Sequence, residues 1–147
     1  MKILIDADAC PVTDIAVALC IAYKAQCILL CDTTHVLCKE GAQTLVFDKG
    51  SDSVDFALVN RVCPGDIVIT QDYGLASMCL ARAARVLHQD GWEYTENNIE
   101  ALLHQRHAAN QYRKAGGRTK GPKKRTVAQD NAFTQALAAL LQQTVQG

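Results

Sequence analysis

The sequence predicts an α/β domain of three layers, with helices on both faces of a mostly parallel sheet of about five strands. Three observations carry that prediction. Short runs rich in leucine and β-branched residues, "KILID", "QCILLCD", "QTLVF" and "IVIT", alternate along the chain with segments of helical period. These runs are continuously apolar, as strands covered on both faces are. The 147 residues, 49% of them hydrophobic, suffice for one core and are few for two.

The elements follow in order. "KILID" is the first strand. "PVTDIAVALCIAYKA" opens on a proline suited to a first helical position and is apolar around much of its circumference, which predicts a buried helix. "QCILLCD" is the second strand, and the polar stretch "TTHVLCKEGA" leads to the third, "QTLVF". In "DKGSDSVDFALVNRV" the spacing changes, placing Val54, Leu58 and Val62 along one helix face with Ser51 or Asp52 as N-cap. "PGD" is a turn, "IVIT" the fourth strand and "YGLASMCLARAA" another helix. "RVLH" predicts a short fifth strand, and "TENNIEALLHQRHAANQYRKA" a helix capped by Thr or Asn. "GGRTKGPKKR" breaks regular structure and leaves a basic, glycine-containing loop at about 115–127. "DNAFTQALAALLQQ" is the last helix, so residues 1–147 read as a single domain.

No charge-free apolar run reaches the ~18 residues of a membrane span, and Asp6 and Asp8 cut the N-terminal one short of signal-peptide length. The seven cysteines are odd in number, form no C-x-x-C pair and fall mostly in apolar segments. They read as small core residues of a cytoplasmic protein. Cys27, Cys31 and His35 approach zinc-ligand spacing, but "QCILLCD" reads better as a strand. Lys and Arg balance Asp and Glu at fifteen each, yet eight of the basic residues and one of the acidic ones lie after residue 100. An acidic body with a basic C-terminal part suits an anion-handling protein whose carboxylates hold a cation.

The carboxylates carry the functional reading. Residues two apart in an extended segment face the same way, about 6–7 Å from one another, so Asp6 and Asp8 in "ILIDADACPV" point into one small volume. Two like charges so placed raise each other's pKa or require a cation, and oxygen-only ligands suit Mg²⁺ or Mn²⁺. The structural alternative makes Asp8 a cap of the following helix and Asp6 a solvated strand end. Asp52 and Asp55 lie three apart at a helix start, which is equally the spacing of a capping box. Asp72 follows "IVIT" as Asp6 follows "KILI". In a doubly wound sheet the strand beside the first is the one where winding reverses, and ligands bind there at the carboxyl ends. If "IVIT" neighbours "KILID", Asp72 comes within reach of Asp6 and Asp8.

"DADACPV", "GSDSVD", "PGDIVITQDYGLA" and "TENNI", in that order, resemble the YaiI/YqxD family of uncharacterised bacterial proteins across nearly the whole chain. That family is similar in fold to PIN-like and NYN nuclease domains, whose acids hold divalent metal for RNA cleavage. The resemblance implies Asp6, Asp55 and Asp72 as Mg²⁺ or Mn²⁺ ligands and, with Asp8, as the catalytic set. It implies Asp52 as an additional member and Thr70 as the small hydroxyl residue that precedes the last acid. The basic loop departs from the family pattern, with "KGPKKRTVAQD" in place of an apolar aromatic segment.

RNA is therefore the expected partner, with Arg118, Lys120, Lys123, Lys124 and Arg125, preceded by Arg113 and Lys114, tracking its backbone. Two rivals use the same residues. A haloacid-dehalogenase-like phosphatase would take Asp6 as nucleophile and Asp8 as acid/base, although Cys10 stands where that motif has Thr or Val. A nucleic-acid-binding module would retain the acids without cleaving. His104 and His107 read as exposed histidines of an amphipathic helix, and most of Tyr73, Trp92, Tyr94 and Tyr112 as packing groups.

Overall fold

A computed structural model describes residues 1–34, 36–50, 53–117 and 124–146, with side chains to residue 144. In chain order the elements are β1 (Lys2–Asp6), α1 (Thr13–Ala22), β2 (Gln26–Asp32), β3 (Gln43–Phe47), α2 (Ser53–Arg61), β4 (Ile67–Ile69), α3 (Tyr73–Ala81), β5 (Arg85–Leu87), β6 (Glu93–Tyr94), α4 (Glu96–Lys114) and α5 (Val127–Gln146). They form one sheet in the order β3-β2-β1-β4-β5-β6, parallel except for the β5–β6 pair. The chain winds outward from β1 through β2 to β3, then returns to the other side of β1 as β4. Winding reverses between β1 and β4, where Ile3, Leu4 and Ile5 pair with Ile67, Val68 and Ile69.

Period-two alternation divides the core between the two faces. Ile3, Ile5, Leu29, Ile67 and Ile69 pack against α1 and, through Phe133, Leu137 and Leu141, against α5. Leu4, Leu30, Val68 and Val86 face α2 and α3, with Ile99 and Leu102 of α4 closing that side. Asp6 follows Leu4 by two residues and Thr70 follows Val68 by two. Both therefore continue, past the apolar strands, the face covered by α2 and α3. Among the described residues no helix is long and apolar enough to cross a membrane.

The structure departs from the sequence reading in three places. The first helix begins at Thr13, two residues after Pro11, because a turn intervenes: Cys10 N–H donates to Ala7 O at 3.3 Å and Ala9 takes a left-handed φ of 55°. The sheet gains a sixth strand, the two-residue β6, which is too short to show a period. The last helix starts at Val127, three residues before Asp130, under a reciprocal cap. Thr126 N–H donates to Gln129 Oε1 at 2.9 Å, and Gln129 N–H donates to Thr126 Oγ1 at 3.2 Å.

The β5–β6 turn docks directly on α5. Gly91 has a φ of +94°, and a Cβ there would lie 2.6 Å from the carbonyl carbon of Ala132. Arg125 fixes the same junction, donating to Asp130 Oδ1 at 2.6 Å, Asp90 Oδ1 at 2.8 Å and Gln89 O at 2.6 Å. Gly91→Ala combines an unfavourable φ with a backbone clash. Urea unfolding should show it destabilised by about 2–4 kcal/mol with an unchanged m-value.

Candidate functional site

The carboxyl edge of β1 and β4 gathers the acids. β1 ends at Asp6, whose Oδ2 accepts a hydrogen bond from Thr70 Oγ1 at 3.0 Å; that same Oγ1 accepts from Asp72 N–H at 3.0 Å. Thr70, 2% exposed, thus bridges the end of β1 to the start of α3. This linkage follows from β1 and β4 being neighbours, as the topology argument requires.

Burial pushes the Asp6 carboxyl up to about 7, against the lowering effect of the Thr70 hydrogen bond. The negative charges of Asp55, Asp72 and Asp8 push it further in the same direction. Asp6 is therefore a half-buried acid among three others of like sign. Among the described residues no basic side chain forms an ion pair with it.

The other acids are held by separate elements. Asp55 stands in the first turn of α2. Asp72 caps α3, its Oδ1 accepting from Gly74 N–H at 2.9 Å and Leu75 N–H at 3.2 Å. Asp8 does not cap α1, whose start carries no side-chain cap; its Oδ1 instead accepts from Asp32 N–H at 3.3 Å, at the end of β2. Asp32 in turn binds the backbone N–H of Thr34 at 2.8 Å and the Thr34 hydroxyl. Among the described residues no three His, Cys, Asp or Glu side chains converge closely enough to hold one ion together.

The remaining sequence candidates divide. Asp52, Arg118, Lys120 and Lys123 lie outside the described residues, as does His35. Lys124 is exposed. Arg125 is engaged at the junction of β5, β6 and α5, with its side chain only 20% exposed. Cys27 and Cys31 are buried in β2. His104 and His107 are exposed on α4.

Two residues escaped the sequence reading. Asp32 ends β2 as Asp6 ends β1, a signal visible in "QCILLCD" beside "KILID". Arg106 of α4 donates from Nη1 to Asp72 Oδ1 at 3.0 Å and helps line a cleft of about 600 Å³ with Gln71, Asp72, Tyr73 and Arg113. Beneath it lies an aromatic cluster. Tyr94 packs edge-on to Tyr73 and Trp92, and His88 stacks on Trp92 with ring centres 4.3 Å apart. The buried Tyr94 hydroxyl has no hydrogen-bond partner among the described residues, and burial with the nearby Tyr73 and Asp72 charges pushes its pKa up. Most of the four aromatics do pack, as expected of them; Tyr112 is exposed.

The chain was compared with known proteins. Residues 4–143 match the family described as "Uncharacterized BCR, YaiI/YqxD family". Similar proteins include the UPF0178 protein of Exiguobacterium sibiricum, 52% identical over 141 residues that cover 96% of each chain. The UPF0178 protein of Natranaerobius thermophilus is 45% identical over 97% of each. That of Ruminiclostridium cellulolyticum is 44% identical over all of this chain and 96% of its own. No solved structure matches.

The raised Asp6 pKa has a consequence for stability. Below about pH 4 the carboxyl is protonated both folded and unfolded, so it contributes no difference. Between about 4 and about 7 the unfolded chain releases a proton that folded Asp6 keeps, and stability falls as pH rises. Asp6→Asn should be more stable to urea than the wild-type protein at pH 8 in EDTA, by about 1–3 kcal/mol once solvent screening is allowed for. The gap should close near pH 4. A wild-type protein more stable than the variant at pH 8 would mean that the carboxylate is favourably held.

Proposed function

The chain belongs to the YaiI/YqxD family, and we propose that it is a divalent-metal-dependent nuclease-like protein acting on RNA phosphodiesters. One observation carries the reading: Asp6, half-buried at the switch point of the sheet, has like charges around it and a neutral hydroxyl as its hydrogen-bond donor. A carboxylate placed only for stability acquires a basic partner, whereas one placed to meet a cation leaves that position to the ligand.

The donor set fits Mg²⁺ or Mn²⁺, being carboxylate oxygen alone. The acids are too spread to form a closed cage, which suits a cation that keeps several of its waters and meets one or two carboxylates together with substrate phosphate. One or two of Asp6, Asp55 and Asp72 would hold it, the others and Asp8 adding negative charge beside them. Bound there, it supplies a water of lowered pKa and polarises the phosphate under attack.

The chain's own part is positional. Thr70 fixes the rotamer of Asp6 through Oδ2, leaving Oδ1 to accept from a ligand. Its pKa of about 7 belongs to the metal-free site; a cation bound there would favour the ionised carboxylate, so proton uptake by Asp6 opposes metal binding below neutral pH. Asp8, fastened to the end of β2, adds negative charge without closing the site. The flanking arginines of α4 supply the positive surface that a polyanion needs.

Titrating Mn²⁺ into the protein at pH 8 should raise Tm by about 5 °C near saturation, and Asp6→Asn should abolish the rise. Labelled single-stranded RNA should be degraded with Mn²⁺ and kept intact by the same variant. No stabilisation by millimolar Mn²⁺ in the wild-type protein would count against the reading. Phosphate release from small phosphomonoesters with RNA untouched would point instead to a phosphatase.

A further inference from the structure

α4 changes character along its length. It is 19 residues long, about 28 Å at 1.5 Å per residue, and its inward stripe begins with Ile99 and Leu102, packed over Tyr94 and α3. Seven residues on from Ile99 the same stripe carries Arg106, and seven further Arg113. The stripe is apolar where α4 covers the sheet and cationic where the helix reaches the N-terminus of α3 and the acidic edge. Both arginines are exposed, and they continue the line of the apolar stripe to where it borders the cleft.

From this geometry we propose that Arg106 and Arg113 are the phosphate-binding residues for a single-stranded RNA that enters the cleft beside Asp72. The site is assembled from three elements. Gln71 and Asp72 come from the end of β4, Tyr73 from the first turn of α3, and the two arginines from α4. Arg106 is half exposed and gives one Nη to Asp72, leaving the rest of its planar fork to face a phosphate bidentately. Arg113 donates from Nη2 to Asn110 Oδ1 at 2.5 Å, which steadies its side chain at the cleft. Tyr73, held edge-on against the buried Tyr94, offers a ring on which a base can stack.

The Arg106–Asp72 pair adds a coupling. In the free protein the guanidinium neutralises part of the charge that a divalent cation would otherwise meet. A cation taking up Asp72 releases Arg106 towards phosphate, so cation and RNA should bind with positive cooperativity. This inference rests on the proposed nuclease reading for its choice of RNA, but its assay does not require cleavage.

The test is equilibrium binding of a labelled single-stranded RNA, read by fluorescence anisotropy in EDTA and again in Ca²⁺, across a series of salt concentrations. Arg106→Gln with Arg113→Gln should weaken binding roughly tenfold or more. It should also lower the slope of log affinity against log salt by about 1.4, roughly 0.7 for each phosphate that is no longer neutralised. Arg82→Gln, exposed at the far end of α3, removes a like charge and should leave both quantities nearly unchanged. Calorimetry should show Mn²⁺ binding to Arg106→Gln at least as tightly as to the wild-type protein, since a competitor for Asp72 has gone. Equal weakening in Arg82→Gln, an unaltered salt slope, or no RNA binding by the wild-type protein would each overturn the proposal. RNA bound through the two arginines but not cleaved in Mn²⁺ would sink the nuclease reading and leave this one standing.

Discussion

The parallel pairing of β1 with β4, Ile3 through Ile5 against Ile67 through Ile69, sets everything at the functional edge. Because neither strand reaches far beyond its paired residues, the side chains that follow are carried to one place: Asp6 on one strand, Thr70 and Asp72 just after the other. The Thr70 hydroxyl accepts from Asp72 N–H and donates to Asp6, a chain of two 3.0 Å hydrogen bonds across the switch point. Pairing β4 elsewhere would part Thr70 and Asp72 from Asp6, and slipping β1 by one residue would turn Asp6 to the α1–α5 face.

The same strand pair carries an internal comparison. At its opposite, amino end, Asp66 is buried as well. Its cost of burial is outweighed by the Lys2 ammonium at 2.6 Å and by the backbone N–H groups of Lys2 and Cys63, so its pKa is lowered. At the carboxyl end Asp6 has no such partner among the described residues, and its pKa is raised. Two aspartates on adjacent parallel strands thus show opposite shifts. What separates them is the partner: Lys2 and two backbone N–H groups offset the cost of burying Asp66, whereas at Asp6 burial goes unopposed by a basic group and the neighbouring acids add to it.

Much of this was legible in the sequence because the relevant signals are local. "KILID" and "IVIT" are continuously apolar and end in acid or hydroxyl residues, and the alternation of strands with helices leaves few sheet orders. Distance arguments along one strand were less reliable. The alternation that places Asp6 and Asp8 on one side assumes an extended chain, but Ala9 turns back in the left-handed region and Asp8 is drawn to the N–H of Asp32 on β2. Such a long-range hydrogen bond has no sequence signature. Likewise the basic run after residue 115 drew attention to Arg125, whose three contacts with Asp90, Gln89 and Asp130 make it a structural clamp. Nothing in "KKRTVAQD" distinguishes a clamp from a surface arginine.

The uneven charge of the chain acquires a spatial meaning through α4. The acidic first hundred residues deliver carboxylates to one edge of the sheet, and the first basic residue after them, Arg106, touches Asp72 at that edge. It can do so because α4 begins beyond β6, at the far side of the sheet, and runs back along α3 with Ile99 and Leu102 setting its rotation. Rotating the helix by one residue, about 100°, would carry Arg106 away from Asp72 and expose the apolar stripe together. The packing that buries Ile99 and Leu102 is therefore also what aims Arg106 and Arg113, so the hydrophobic and electrostatic features of α4 are one constraint rather than two.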